Sequence, residues 1–241
     1  MGQLNIGSMT GRGRELAELM RIKRVDILCV QETLWKGNRA KELGDGYELI
    51  YSGANEQGRN GVGVVLSGEM KNAVTEVNRK NDCIMRVKIC YGWRGTMNII
   101  SAYAPQVGCA EEEMSSFRNE MNEVTQELEK PERIEVVTEF NGHVGNENDV
   151  IERVHGGYGI GERNPEGESL VDFAMSFNMA IVCTFFKKKR EHLITYRNGS
   201  RCTQIDYLHH NRSRLVEVRN CKGILGDHVP PPPNIGSFVW I

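Results

Sequence analysis

No long apolar run, no Cys-x-x-Cys pair and no large surplus of either charge occurs in this 241-residue sequence, and each absence removes a class of protein. A bilayer-crossing helix needs an apolar stretch of about 18 residues or more. None is present, and the N-terminus lacks the basic, then apolar, then small-residue order of a secretory leader. The expectation is an intracellular protein with no membrane association and no obligate protein partner. The cysteines, Cys29, Cys83, Cys90, Cys109, Cys183, Cys202 and Cys221, are odd in number and scattered. That argues against a disulfide framework and a structural zinc site, and it fits a reducing compartment. With 30 Lys and Arg against 32 Asp and Glu, the formal net charge is −2. Nucleic-acid binding leans on many Lys and Arg contacts to phosphate, so any such binding must be local.

What is present suffices for one folded domain with a substantial core, since 39% of residues are hydrophobic. A helix is predicted over Gly11–Arg24, capped by Thr10, because Leu16, Leu19 and Met20 recur at helical spacing. In Glu111–Lys130, Met114, Phe117, Met121, Val124 and Leu128 step by three and four until Pro131 stops the helix. A third is expected near Ser169–Asn178. Apolar or alternating runs predict strands at Asp26–Val30, Tyr47–Tyr51, Gly61–Leu66, Cys83–Cys90, Met97–Tyr103 and Ile134–Val137. Others are expected near Ala180–Thr184, Ile194–Tyr196, Gln204–Leu208 and Leu215–Val218. Short links imply antiparallel hairpins, and the class is α/β, sheets with helices packed outside. Proline donates no backbone hydrogen bond, so Pro230–Pro233 cannot continue a central strand. The domain is therefore expected over 1–229, with 230–241 a proline-rich tail.

The chemistry-bearing residues sit where apolar strands end, a position that holds a side chain rigidly beside solvent. Asn5 follows Leu4, Gln31-Glu32-Thr33 follows Val30, Tyr103 closes its strand before Ala104-Pro105, and Glu139-Phe140-Asn141 follows Val137. Asp206 interrupts the otherwise apolar Gln204–Tyr207, and a buried carboxylate needs a partner. A lone Glu after a strand is ordinarily a solvated loop residue. Several hard oxygen donors at strand tips together suit magnesium, which takes one or two carboxylates and keeps waters and phosphate oxygens as its other ligands.

Six short motifs, in order, resemble the endonuclease/exonuclease/phosphatase family, including its non-LTR retrotransposon endonucleases. They are Leu4-Asn5-Ile6-Gly7-Ser8-Met9, Gln31-Glu32-Thr33, Gly61-Val62-Gly63, Ser101-Ala102-Tyr103-Ala104-Pro105, Glu139-Phe140-Asn141-Gly142 and Gln204-Ile205-Asp206-Tyr207. The resemblance implies a DNase I-like four-layer α/β sandwich, two mainly antiparallel sheets with helices outside. It also implies a metal-dependent endonuclease or phosphodiesterase acting on nucleic acid, DNA rather than RNA, with Mg2+ or alternatively Mn2+. Asn5, Glu32 and Asp227 would hold the metal, Tyr103 and Asn141 would contact the scissile phosphate, Glu139 would orient the attacking water, and Asp206 would orient a catalytic histidine.

The sequence also departs from that family. Thr138-Glu139 stands where the family has Gly-Asp, which lengthens the acid by a methylene and introduces a stiff β-branched neighbour. Gly226-Asp227-His228 resembles the histidine motif, yet His228 also reads as a turn residue, because the strand expected after the histidine falls in Pro230–Pro233. The resemblance further implies that the first and last strands are incomplete. A catalytically silent binding module and a hydrolase of small phosphoesters are the alternative readings. Lys187-Lys188-Lys189-Arg190 reads as a solvated loop or a phosphate contact.

Overall fold

The structure, a computed structural model, describes residues 1–92, 95–106, 108–129, 132–146, 154–198, 201–224 and 238–240. In chain order the elements are β1 (Gly2–Asn5), α1 (Gly13–Lys23), β2 (Ile27–Gln31), β3 (Arg39–Gly44), β4 (Tyr47–Ser52), β5 (Val62–Leu66) and α2 (Gly68–Lys71). They continue with β6 (Val74–Arg79), β7 (Ile84–Cys90), β8 (Thr96–Tyr103), α3 (Glu111–Gln126), β9 (Arg133–Glu139), α4 (Pro165–Ser176) and β10 (Met179–Ile181). The last are β11 (Tyr196–Asn198), β12 (Arg201–Thr203), β13 (Asp206–Asn211), β14 (Lys222–Ile224) and β15 (Phe238–Trp240).

Two large sheets form, in strand order β14-β15-β1-β2-β5-β4-β3 and β10-β13-β9-β8-β7-β6, with β11 and β12 as a separate hairpin. Alternation along the strands divides the core into three layers. Ile27, Cys29, Val62, Val64 and Leu66 of the first sheet meet Met85, Val87, Ile99, Val137 and Leu208 of the second. Leu28, Val30, Leu49 and Val65 point the other way, onto Leu16, Ala17 and Met20 of α1. Ile100, Ala102, Val136 and Tyr207 pack under Phe117, Met121 and Val124 of α3 and Leu170, Val171 and Ala174 of α4. The result is the four-layer DNase I-like sandwich, helices outside both sheets.

Several expectations require correction. The short links do make antiparallel pairs, β3–β4, β4–β5, β6–β7 and β7–β8. The pairs β1–β2 and β8–β9 run parallel, each joined through a helix, α1 or α3, and a crossover of that length returns a strand in the same direction. Thr10 does not cap α1; the capping position is Arg12, without a side-chain cap bond. Helix α3 ends at Gln126, short of Lys130, because its last turn tightens where Leu128 N donates to Thr125 O at 3.3 Å. Residues Arg212–Glu217 form 3-10 turns, so Leu215–Val218 is no strand; so short an apolar run fits either conformation. Ala180–Thr184 is a strand only as far as Ile181. Residues 238–240 return as β15 between β14 and β1 rather than leaving as a tail, and give the edge of β1 its ladder partners. The proline run itself lies outside the described residues.

Candidate active site

The parallel pairing of β8 with β9 and the antiparallel pairing of β9 with β13 put Tyr103, Glu139 and Asp206 in one row across three neighbouring strands. All three side chains share the inner face of the second sheet, since they continue the alternation of Ile99, Val137 and Leu208. Opposite them, the parallel register aligns Asn5 with Gln31, and Glu32 follows directly. The sequence expected Glu139 after its strand and Asp206 inside one; instead Glu139 closes β9 and Asp206 opens β13.

Three hydrogen bonds tie the sheets together at this rim. Asn5 Nδ2 donates to Glu139 Oε2 at 2.7 Å, the Tyr103 hydroxyl donates to Glu32 Oε1 at 2.5 Å, and Gln3 Nε2 donates to Asp206 Oδ1 at 2.7 Å. Local structure sets up each partner. Asn5 Oδ1 accepts from Gly7 N at 2.9 Å, which fixes the amide's orientation. Glu32 has φ of +55°, a conformation uncommon for a residue other than glycine, so the chain turns sharply at the strand end. The loop it enters is closed by Thr33 N donating to Gly61 O, and a Cβ at Gly61 would lie 2.3 Å from Thr33 Oγ1. Only glycine fits there. Thr195 Oγ1 accepts from Ile205 N and Asp206 N, anchoring the start of β13.

Electrostatics follow from burial. Glu139 and Asp206 are 6% and 1% exposed. Burial, then the charges of Asp206 and Glu32, push the Glu139 carboxyl well above its usual range, against the Asn5 amide. Burial pushes the Asp206 carboxyl up to about 7, opposed by the neighbouring Thr195 hydroxyl. The Tyr103 phenol is also raised, by burial and by Glu139 and Glu32. Among the described residues, Asp206 Oδ2 and Gln3 Oε1 are buried without a hydrogen-bond partner.

Asn141 also has positive φ, which asparagine tolerates, and its Nδ2 donates to Ala104 O at 3.1 Å, tying it to the end of β8. Thr138 points to the helix side, in register with Ala102 and Tyr207, and does not enter the site. Asp227 and His228 lie outside the described residues. His143 serves the turn, where its Nδ1 is 3.2 Å from Gln204 O. Gln3 was missed by sequence reasoning, because a glutamine near a strand's start is ordinarily exposed. Its one signal is its spacing of two from Asn5, which puts both on the same face.

Among the described residues, no three His, Cys, Asp or Glu side chains gather as a ready metal cage. A magnesium ion needs less from the protein than that. The chemistry of the donors suits such a divalent ion: the charge of Glu32 is among the causes that raise the Glu139 carboxyl, so two acidic groups share the rim, and Asn5 Oδ1 keeps a second lone pair.

Craniofacial development protein 2 of Bos taurus is 27% identical over 211 residues, covering 86% of this chain and 35% of that protein. The protein of the same name from Tragulus javanicus is 26% identical over the same length, covering 86% and 36%. The chain is a homologue of craniofacial development protein 2. It spans about a third of the length of these curated relatives. No protein-family model matches it.

Among solved structures, the 3'-5' exonuclease NExo of Neisseria meningitidis superimposes with a TM-score of 0.72, covering 99% of this chain and 98% of that one at 12% identity. The endonuclease domain of TRAS1, a telomere-specific non-LTR retrotransposon, gives 0.69, with 99% and 95% covered at 14% identity. An endonuclease/exonuclease/phosphatase family protein from Leptotrichia buccalis gives 0.65, with 100% and 98% covered at 15% identity. These likenesses establish the fold. Among the described residues, no helix is long and apolar enough to cross a membrane.

Proposed function

We propose that the chain is a magnesium-dependent phosphodiesterase that cleaves nucleic acid internally, DNA rather than RNA, with manganese as the alternative ion. The observation that carries this reading is the meeting of Asn5 and Glu32 from one sheet with Tyr103, Glu139 and Asp206 from the other at a single rim. The nuclease descriptions of the structural neighbours support it.

Glu32 and Asn5 would hold the ion, which supplies polarisation of a phosphoryl oxygen and neutralises charge developing there. The remaining work falls to the chain itself. Tyr103 fixes the Glu32 carboxylate by donating to one of its oxygens. Asn5 holds Glu139 through Oε2 and leaves Oε1 to orient a water and accept its proton. Asn141 spends one amide hydrogen on Ala104 and keeps the other for a phosphate oxygen. Asp206 Oδ2, buried and without a hydrogen-bond partner among the described residues, suits an imidazole N–H, for which His228 is the candidate.

Nicking of supercoiled plasmid tests this. Nicking should require magnesium and vanish in Glu32→Ala; a purified chain that nicks at no metal concentration sinks the reading.

One observation favours a catalytically silent binding module instead. The 2.7 Å bond between Asn5 and Glu139 closes two of the site's polar groups on each other, a contact that the length of glutamate permits. On that reading Glu139→Asp creates nicking where the unaltered chain has none. An unaltered chain that already nicks as well as the variant excludes it.

A further inference from the structure

Away from the polar rim, two thiols meet between the sheets. Cys183 lies in the 3-10 turn Val182–Phe185 directly after β10, and Cys221 directly precedes β14. Both are buried, 5% and 1% exposed, and Cys221 Sγ donates to Cys183 Sγ at 3.1 Å. Strand β10 edges the second sheet and β14 edges the first, so this contact bridges the sandwich at one side. A disulfide bond is about 2.05 Å long, so the sulfurs need close by only about 1 Å.

We propose that Cys183 and Cys221 are a reversible dithiol–disulfide pair, oxidised by peroxide, whose bond clips the two sheets together and closes a loop that contains Asp206. This goes beyond the nuclease reading and does not depend on it. The chemistry balances with hydrogen peroxide as the oxidant, a molecule small enough to reach buried sulfur. The Cys183 thiolate attacks one peroxide oxygen, giving a sulfenic acid and one water once a proton is added. The Cys221 thiol then attacks the Cys183 sulfur, and its proton leaves with the displaced hydroxyl as a second water. Two thiols lose two electrons and two protons, and the peroxide takes up both.

The surroundings assign the roles in that order. The hydrogen bond from Cys221 is the largest influence favouring the Cys183 thiolate, over the opposing effect of burial, and the Leu208 backbone adds to it. Thiolate character governs attack. Cys29 and Cys83, by contrast, are pushed up to about 12 by burial and stay protonated.

The test treats the whole reduced chain, at low protein concentration, with a small excess of hydrogen peroxide, followed by alkylation in denaturant and peptide mapping without reductant. The expected product is a cross-linked peptide pair joining Cys183 to Cys221, abolished by dithiothreitol. The thermal midpoint should rise by about 5–10 °C for a loop spanning 38 residues. Cys183→Ser should lose both effects, and Cys90→Ser with Cys109→Ser should keep both, since those two thiols are exposed. Recovery of Cys183 and Cys221 as free thiols while Cys90 and Cys109 are oxidised overturns the proposal. So does a cross-linked chain that melts below the reduced one, because the folded geometry would then not accommodate the bond. Both decisive readouts use the unaltered chain, so a variant that fails to fold does not spoil the test.

Discussion

Glu139 and Asp206 stand directly opposite each other in register on the antiparallel strands β9 and β13, two nearly buried carboxyls whose nearest fixed partners are the amides of Asn5 and Gln3. Neither amide carries charge, so burial dominates at both, joined at Glu139 by the charge of Asp206, and both groups hold their protons to higher pH than usual.

That pairing makes stability depend on pH in an uncommon direction. The ordinary value for aspartate is 3.8 and the folded value for Asp206 is about 7. Between those limits the folded chain binds more protons than the unfolded one, so stability is greatest at the acid end and falls as pH rises. The thermal midpoint should therefore drop between about pH 4 and 7 at low ionic strength, and Asp206→Asn should flatten that slope. A midpoint that climbs steadily across the window contradicts the assignment.

Gln3→Leu removes the donor to Asp206 Oδ1, on a buried carboxyl whose Oδ2 has no hydrogen-bond partner among the described residues. A hydrogen bond to a charged group contributes about 1.5–3 kcal/mol. The loss should approach that range at pH 8, where Asp206 is ionised, and be smaller at pH 5. Urea unfolding at the two pH values measures the difference; an equal loss at both would mean that the variant perturbs packing alone.

Tyr103→Phe keeps the ring between the sheets and deletes the hydroxyl that fixes Glu32. If magnesium-dependent nicking is present in the parent chain, it should fall about 10–100-fold, the usual effect of removing a ligand's outer partner. Circular dichroism should be unchanged. Undiminished nicking would remove Tyr103 from the working site.

Gly167→Ala tests the turn that carries Asn141. Asn164 caps α4 by accepting from Gly167 N at 2.9 Å and also accepts from His143 N at 2.7 Å, which locks the helix start onto residues 143–144. A Cβ at Gly167 would lie 1.8 Å from the His143 carbonyl oxygen, part of the backbone rather than a flexible tip. Destabilisation of at least about 3 kcal/mol is expected, against about 1 kcal/mol for Gly11→Ala, where φ is +77° but no atom lies within 4 Å. Denaturant titration compares the two, and equal losses would refute the close approach.

Periodicity made most of the helices and strands legible, and the resemblance of the motifs implied how they stack into four layers. The three- and four-residue steps of Met114, Phe117, Met121 and Val124 identified the stripe that α3 buries, and alternation in β5 and β8 identified strands with two differently packed faces. The polar strand tips were legible for the same reason: an apolar run that ends in Asn5, Glu32, Tyr103 or Glu139 announces itself in the chain. Strand direction was less so, because the parallel pairs depend on where α1 and α3 return the chain.

By itself, then, the sequence determined which residues share a face and which side chains stand at the rim, since both follow from repeats of two and 3.6 residues along one element. Only the tertiary structure decided what those side chains touch. Gln3 meets Asp206 across 203 positions of sequence, and Asn5 meets Glu139 across 134. Cys183 meets Cys221 across 38. Such contacts arise from the stacking of one sheet on the other, a relation between distant segments that no local period encodes.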